Sequence, residues 1–312
     1  MAEISVILCT HNPRPEAIRS TLDGLQRQTL AASRWELLII DNASSPAISA
    51  MSELRLPSAA RIVEEPMTGL TAARARAIRE TASPLLVFVD DDNVLDVDYL
   101  EQALAIAENQ PELGAFGGVT RAPADMQHLP RWKKRLLPYL GVRDYGREPI
   151  VSSRDRWGKW EPIGAGMVVR RCVADWFLKL ITSEPRALEL DRSGAALLSG
   201  GDSLLARGAY RCGLSCAYEP ALKLTHLVAA DRLTWRHLFR VLHGHGRSAV
   251  LLNRVLGLQV RWMFLFELPL RLPIRVVRDG LSGFAAWGWD IGYFSQVRKP
   301  WAARERDDAE RK

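Results

Sequence analysis

Pro84-Leu-Leu-Val-Phe-Val-Asp-Asp-Asp92 decides how this chain folds. An apolar run of this length, rich in β-branched and aromatic residues and broken abruptly by charge, predicts a buried parallel strand. Its three carboxylates then emerge at the carboxyl end of that strand, the edge at which open α/β sheets bind ligands. Adjacent acids repel one another, and a hard divalent cation bridging them to a bound diphosphate relieves the repulsion. A solvated turn, with Asp92 or Asn93 capping a helix that starts near Asp96, is the competing reading of the same residues.

Outward from this strand the first hundred residues alternate in period. Ile4–Cys9 and Trp35–Ile40 read as strands, Arg61–Glu64 as a shorter one, and Pro15–Gln28 and Leu70–Ala82 as helices. This βαβ rhythm predicts an α/β protein with a mostly parallel central sheet and helices on both faces. From Gly117 the pattern loosens. Gly117–Thr120 is a further strand, followed by a proline- and aromatic-rich stretch containing Pro123, Pro130, Pro138, Trp157 and Trp160. Regular structure returns with a strand over Gly164–Arg170, a helix over Ser203–Cys212 behind Gly200-Gly201-Asp202, and short strands over Ser215–Tyr218 and Leu222–Thr225.

The 312 residues are 47% hydrophobic and 25% charged, an ordinary globular composition. Met1-Ala-Glu leads straight into the first strand, which leaves no room for a signal peptide and predicts a cytoplasmic protein. Cys9, Cys172, Cys212 and Cys216 have neither the spacing of a zinc site nor that of a disulfide framework and are expected to be reduced. The net charge of +6 is unevenly spread, with nine arginines and one acid, Glu267, between Arg232 and Arg278. That segment has no apolar run of the ~20 residues a bilayer requires. Basic, aromatic and amphipathic, it suits an anionic membrane surface, with a hairpin packed on the protein or on a second subunit as the alternative.

Five segments, in order, resemble the family 2 glycosyltransferases of the GT-A, or nucleotide-diphospho-sugar transferase, fold. They are Ile4-Ser-Val-Ile-Leu-Cys-Thr-His-Asn12, Gln28-Thr29, Ile39-Ile-Asp-Asn-Ala-Ser44, Gly69-Leu-Thr-Ala-Ala-Arg74 and Val87-Phe-Val-Asp-Asp-Asp92. Ala75 and Ala77 depart from the family's usual Asn and Gly, and Gly201-Asp202 stands where Glu-Asp is common. The resemblance implies an inverting hexosyltransferase that moves a sugar from a nucleotide-diphosphate donor to a saccharide or lipid-linked acceptor in surface polysaccharide or glycolipid assembly. It assigns Asp202 as general base and Thr10, Asn12, Asp41, Arg74, Asp90 and Asp91 to the donor. Asp92, joined by His226, is assigned to Mg2+ or Mn2+ through the DXD-type motif. Trp157, Trp160 and Gly166 are acceptor candidates, the tryptophans because indoles stack on sugar rings.

The implied organisation is a catalytic domain over residues 1–248, a helical extension over 249–301 and a disordered tail over 302–312. The implied location is cytoplasmic, peripheral on the inner face of the plasma membrane, with no nucleic-acid partner. A nucleotidyltransferase shares the sheet and its acids but usually opens with a glycine-rich loop, which Thr10-His-Asn-Pro-Arg14 lacks. A non-catalytic glycan- or membrane-binding protein would have no use for Asp202.

Overall fold

The computed structural model describes residues 2–57, 60–191, 197–263 and 265–301; the tail expected to be disordered, 302–312, lies outside the described residues. The chain opens with β1 (Ile4–Thr10), α1 (Pro15–Gln26), β2 (Trp35–Asp41), β3 (Ala60–Glu64), α2 (Leu70–Glu80) and β4 (Leu85–Asp90). These strands pair in parallel in the order β3-β2-β1-β4. Every residue of β1 is buried, as is all of β4 except Asp90. Apolar side chains on the two faces of these strands feed two separate cores, which is why the runs carry no polar alternation.

Beyond β4 the sheet becomes mixed. β5 (Asn93–Leu95), α3 (Tyr99–Asn109), β6 (Leu113–Arg121), α4 (Arg131–Lys134), β7 (Ile150–Ser152), β8 (Met167–Arg170), α5 (Arg171–Ser183), α6 (Gly201–Arg211) and β9 (Ser215–His226) follow. β8 lies between β4 and β6 and is antiparallel to both; β9 runs parallel to β6, with β5 and β7 antiparallel against it. Parallel pairing is thus confined to the amino-terminal half and the β6–β9 ladder. The two short strands expected near residues 215 and 222 are one continuous β9, which absorbs Glu219 and Pro220 through a register shift against β6.

Asn93 belongs to β5, and helix α3 begins only at Tyr99, so Asp92 and Asn93 do not cap a helix.

The carboxyl-terminal helices are α7 (Trp235–Val255), α8 (Glu267–Asp279) and α9 (Leu281–Val297). The domain boundary expected at residue 248 falls inside α7, which runs unbroken. Leu251 and Leu252 near its end join the same core as Ile7 and Phe88 of the sheet. Glycine lets α9 press onto α7: a Cβ on Gly246 would lie 2.0 Å from the Trp289 carbonyl oxygen, and one on Gly292 2.0 Å from that of His243. No helix among the described residues is long and apolar enough to cross a membrane.

Candidate active site

The carboxyl ends of β1 and β4 open onto a cavity of about 530 Å3. Thr10, Asp90, Asp91, Asp92, Arg74, Asp202 and His226 all line it, so acids remote in sequence share one cleft.

Asp92 sits just past β4 and is 5% exposed. The β5–β9 pairing sets Asn93 opposite His226, and the Leu227 amide donates to the Asp92 carbonyl at 2.8 Å. This register delivers His226 Nε2 to 3.3 Å from Asp92 Oδ1, while Arg232 Nη1 and Arg14 Nη2 stand 3.4 Å and 4.0 Å from Oδ2. Burial pushes the Asp92 carboxyl up, but the His226 hydrogen bond and the charges of His226, Arg232 and Arg14 outweigh it and hold it below the usual range. Asp91 shows the opposite balance. Its burial, reinforced by Asp92 and Asp90, raises it to about 6 although Thr10 Oγ1 donates to it.

A carboxylate and an imidazole are donors that divalent transition metals accept, and the second imidazole nitrogen, His226 Nδ1, is buried without a hydrogen-bond partner. Among the described residues no three His, Cys, Asp or Glu side chains form a metal-holding group. Asp92 and the Nε2 edge of His226 supply two donors, so a divalent ion here would have to take its remaining ligands from substrate and water.

Arg74 enters the cleft from α2, 3% exposed, with Nη1 lacking a hydrogen-bond partner. Burial lowers it, but Asp191, Asp202 and Asp90 together raise it above its ordinary range. Asp191, which sequence reasoning missed, is the organising group here. It accepts Thr71 Oγ1 at 2.6 Å and the Gly201 amide at 3.1 Å, and stands 3.7 Å from Arg74 Nη1. A lone acid in a loop carries no periodic signal that could have marked it.

Asp202 lies in the first turn of α6, and its two oxygens accept the amides of Gly164 at 3.1 Å and Ser203 at 2.8 Å. These bonds fix the side chain at the cleft wall. Behind it, Glu161 is 4% exposed and accepts from Arg207 Nε at 3.2 Å. Burial drives the Glu161 carboxyl up to about 7, only partly offset by the Arg207 charge and a Ser203 hydrogen bond. A carboxyl raised in the folded state contributes stability that is complete below its ordinary value and lost as pH rises through about 7. Between about pH 5 and pH 8 the protein should accordingly lose ~2 kcal/mol more stability than a Glu161→Gln variant. Denaturant unfolding at the two pH values measures this, and parallel losses in both proteins would refute it.

Other expected site residues stand apart. Asp41 is 2% exposed and both its oxygens accept loop amides, Ser44 at 3.0 Å and Ile48 at 2.7 Å. Asn12, at a left-handed φ of 49°, accepts the Ser45 amide at 2.7 Å and lines a separate shallow pocket. Neither residue is on the wall of the main cleft, nor are Trp157, Trp160 and Gly166. The Arg207 guanidinium lies 4.8 Å from the centre of the Trp157 ring, Trp160 donates to the Tyr210 hydroxyl at 3.0 Å, and the Gly166 carbonyl accepts from Tyr99. The far wall is instead Pro138–Gly141 and a stripe of α7, His237, Val241 and His245, at four-residue spacing.

Fold and cleft together define the class, an α/β protein of the GT-A type. Residues 5–174, more than half of the chain, match the family described as Glycosyl transferase family 2, and the chain belongs to that family. A curated relative from Bacillus subtilis (strain 168), "Putative glycosyltransferase EpsH", is 25% identical over 112 residues, 35% of this chain. The match spans about a third (32%) of that relative's length. Among solved structures, S. aureus TarS 1–349 matches with a TM-score of 0.49 and 12% identity over 97% of this chain and 93% of that one. GalNAc-T7 with UDP, GalNAc and Mn2+ matches at 0.48 and 14% over 73% and 43%.

Proposed function

We propose that this chain is a metal-dependent inverting glycosyltransferase that moves a sugar from a nucleotide-diphosphate donor to a hydroxyl of a saccharide or lipid-linked acceptor, in surface polysaccharide or glycolipid assembly. The supporting observation is the convergence of Asp92 and Asp202 on one cleft at the carboxyl edge of the sheet. Thr10, Asp90 and Asp91 face the donor's ribose and diphosphate, and Arg74, whose Nη1 is ion-paired with Asp191 but makes no hydrogen bond, offers that donor to the diphosphate. Asn12 and Asp41 serve the donor indirectly, by fixing the loops that follow β1 and β2. Asp92 and His226 hold Mg2+ or Mn2+, which acts when bound as a Lewis acid toward the leaving diphosphate.

Asp202 removes the proton of the acceptor hydroxyl as its oxygen attacks the anomeric carbon opposite the leaving group. The new carbon–oxygen bond forms as the bond to the diphosphate breaks, which inverts the anomeric configuration. The acceptor wall in this reading is Pro138–Gly141 with the α7 stripe, in place of Trp157, Trp160 and Gly166. The catalytic unit takes in α7, and the helical extension begins after Val255. We read the protein as cytoplasmic and peripheral to the inner face of the plasma membrane.

A thermal-shift panel of nucleoside diphosphates with Mn2+ or Mg2+ tests the reading. A bound donor nucleotide at ~100 times its Kd adds ~2.7 kcal/mol of stability, a shift of roughly 4 °C for a chain of this size. A panel in which no diphosphate shifts the melt, with or without metal, overturns it.

A further inference from the structure

Helix α8 packs with a mixed inward face, where Leu268 joins the small core of Met263 and Tyr293 beside charged side chains, and it leaves an apolar stripe outside. Glu267, Arg271 and Arg275, spaced by four, turn toward α9. There Asp290, fully buried at 0% exposure, accepts Arg271 Nη1 at 3.2 Å and Arg275 Nη2 at 3.0 Å. Leu270, Ile274 and Val277 form an outward stripe on α8 and are 60%, 65% and 88% exposed, with Phe266 just before the helix and Leu281 at the start of α9 exposed at 65% and 63%. No residue of α8 is buried. Rotating the helix to hide the stripe would strip Asp290 of both guanidiniums and leave an uncompensated buried charge. The ion pairs therefore lock the apolar face outward.

We propose that this stripe seats in the interface of an anionic lipid bilayer, with α8 lying in the plane of the surface. Charge complementarity identifies the occupant. Arg261 and Arg278 beside the stripe are paired with Glu267 at 2.9 Å and Asp279 at 2.8 Å, so the positive charge comes from α4: Arg135 donates to the Asp279 carbonyl at 3.4 Å, which brings the exposed Arg131 and Lys134 alongside. Exposed Trp262 adds an aromatic anchor of the kind enriched at headgroup level. Area argues against a second copy of the chain. Thirteen residues span about 20 Å, so a stripe roughly 10 Å wide offers on the order of 200–400 Å2, short of the ~800 Å2 per partner in a stable interface. Docked this way, α8 lies beside the segment that continues from Arg135 into the acceptor wall at Pro138–Gly141.

The inference deepens the peripheral-membrane part of the reading above and is independent of catalysis. Its test is co-sedimentation of the full chain with vesicles of phosphatidylcholine alone or mixed with phosphatidylglycerol, for the wild type and Ile274→Glu/Val277→Glu. The wild type should prefer phosphatidylglycerol vesicles in a salt-sensitive way, and the variant should lose at least about tenfold in binding with an unchanged melt. The variant should also keep whatever nucleotide-induced thermal shift the wild type has, which separates this inference from transferase activity. Equal binding of the two proteins, no wild-type preference for the anionic vesicles, or a stable wild-type dimer that the substitutions split would each overturn it.

Discussion

Asp202→Asn is expected to lower sugar transfer by ~10³-fold or more while leaving donor-nucleotide affinity within about twofold. Asparagine keeps only one acceptor oxygen for the two amides of Gly164 and Ser203, so one of them loses its partner at a cost of about 1–3 kcal/mol while the side chain keeps its size and its place on the cleft wall. What it cannot do is take a proton from an attacking hydroxyl. A purely structural role for Asp202, holding the first turn of α6 to Gly164, makes the opposite prediction: stability would fall and turnover would survive. Transfer measured with a saturating donor, beside the nucleotide-induced thermal shift, separates the two. A variant with full turnover removes Asp202 from the role of base. A variant with low turnover and a normal shift points away from donor binding and toward the acceptor hydroxyl.

How far the sequence disclosed this site depends on the kind of order involved. β1, β2 and β4 are legible because strands buried on both faces are mostly apolar, and the polar residue that ends each run, Thr10, Asp41 or Asp90, marks the carboxyl edge of the sheet. The partnership of Asp92 with His226 is less so. It depends on β5, three residues long, pairing antiparallel with the end of β9, and a strand that short has no period to read. The glycines of α7 and α9 resemble loop punctuation until the two helices are seen in contact. For Trp157 and Trp160 the residue type raised an acceptor role, while position, set by a long irregular stretch, put both off the cleft wall. Asp191 is invisible for a related reason, since its partners Thr71 and Gly201 are brought to it only by the packed fold.

Asp92→Ala should lower transfer steeply and, unlike Asp202→Asn, should also change how the nucleotide binds. Asp92 is an anion set among His226, Arg232 and Arg14. Its removal leaves three potential cations facing the cleft, so metal-free affinity for a nucleoside diphosphate should hold steady or rise as one repulsive charge disappears. The added affinity that Mn2+ or Mg2+ confers should vanish, because His226 alone is a poor site for a hard cation that prefers oxygen. Lewis-acid stabilisation amounts to several kcal/mol, so transfer should fall by roughly 10²–10³-fold or more. Titrating nucleotide into both proteins with and without Mn2+ reads the two effects separately. Should the alanine variant retain the metal-dependent gain, the cation is held elsewhere and Asp92 serves only to anchor the arginines around it. Should metal-free affinity collapse instead, the arginines depend on Asp92 for their placement, and the cleft is organised by ion pairs before any donor arrives.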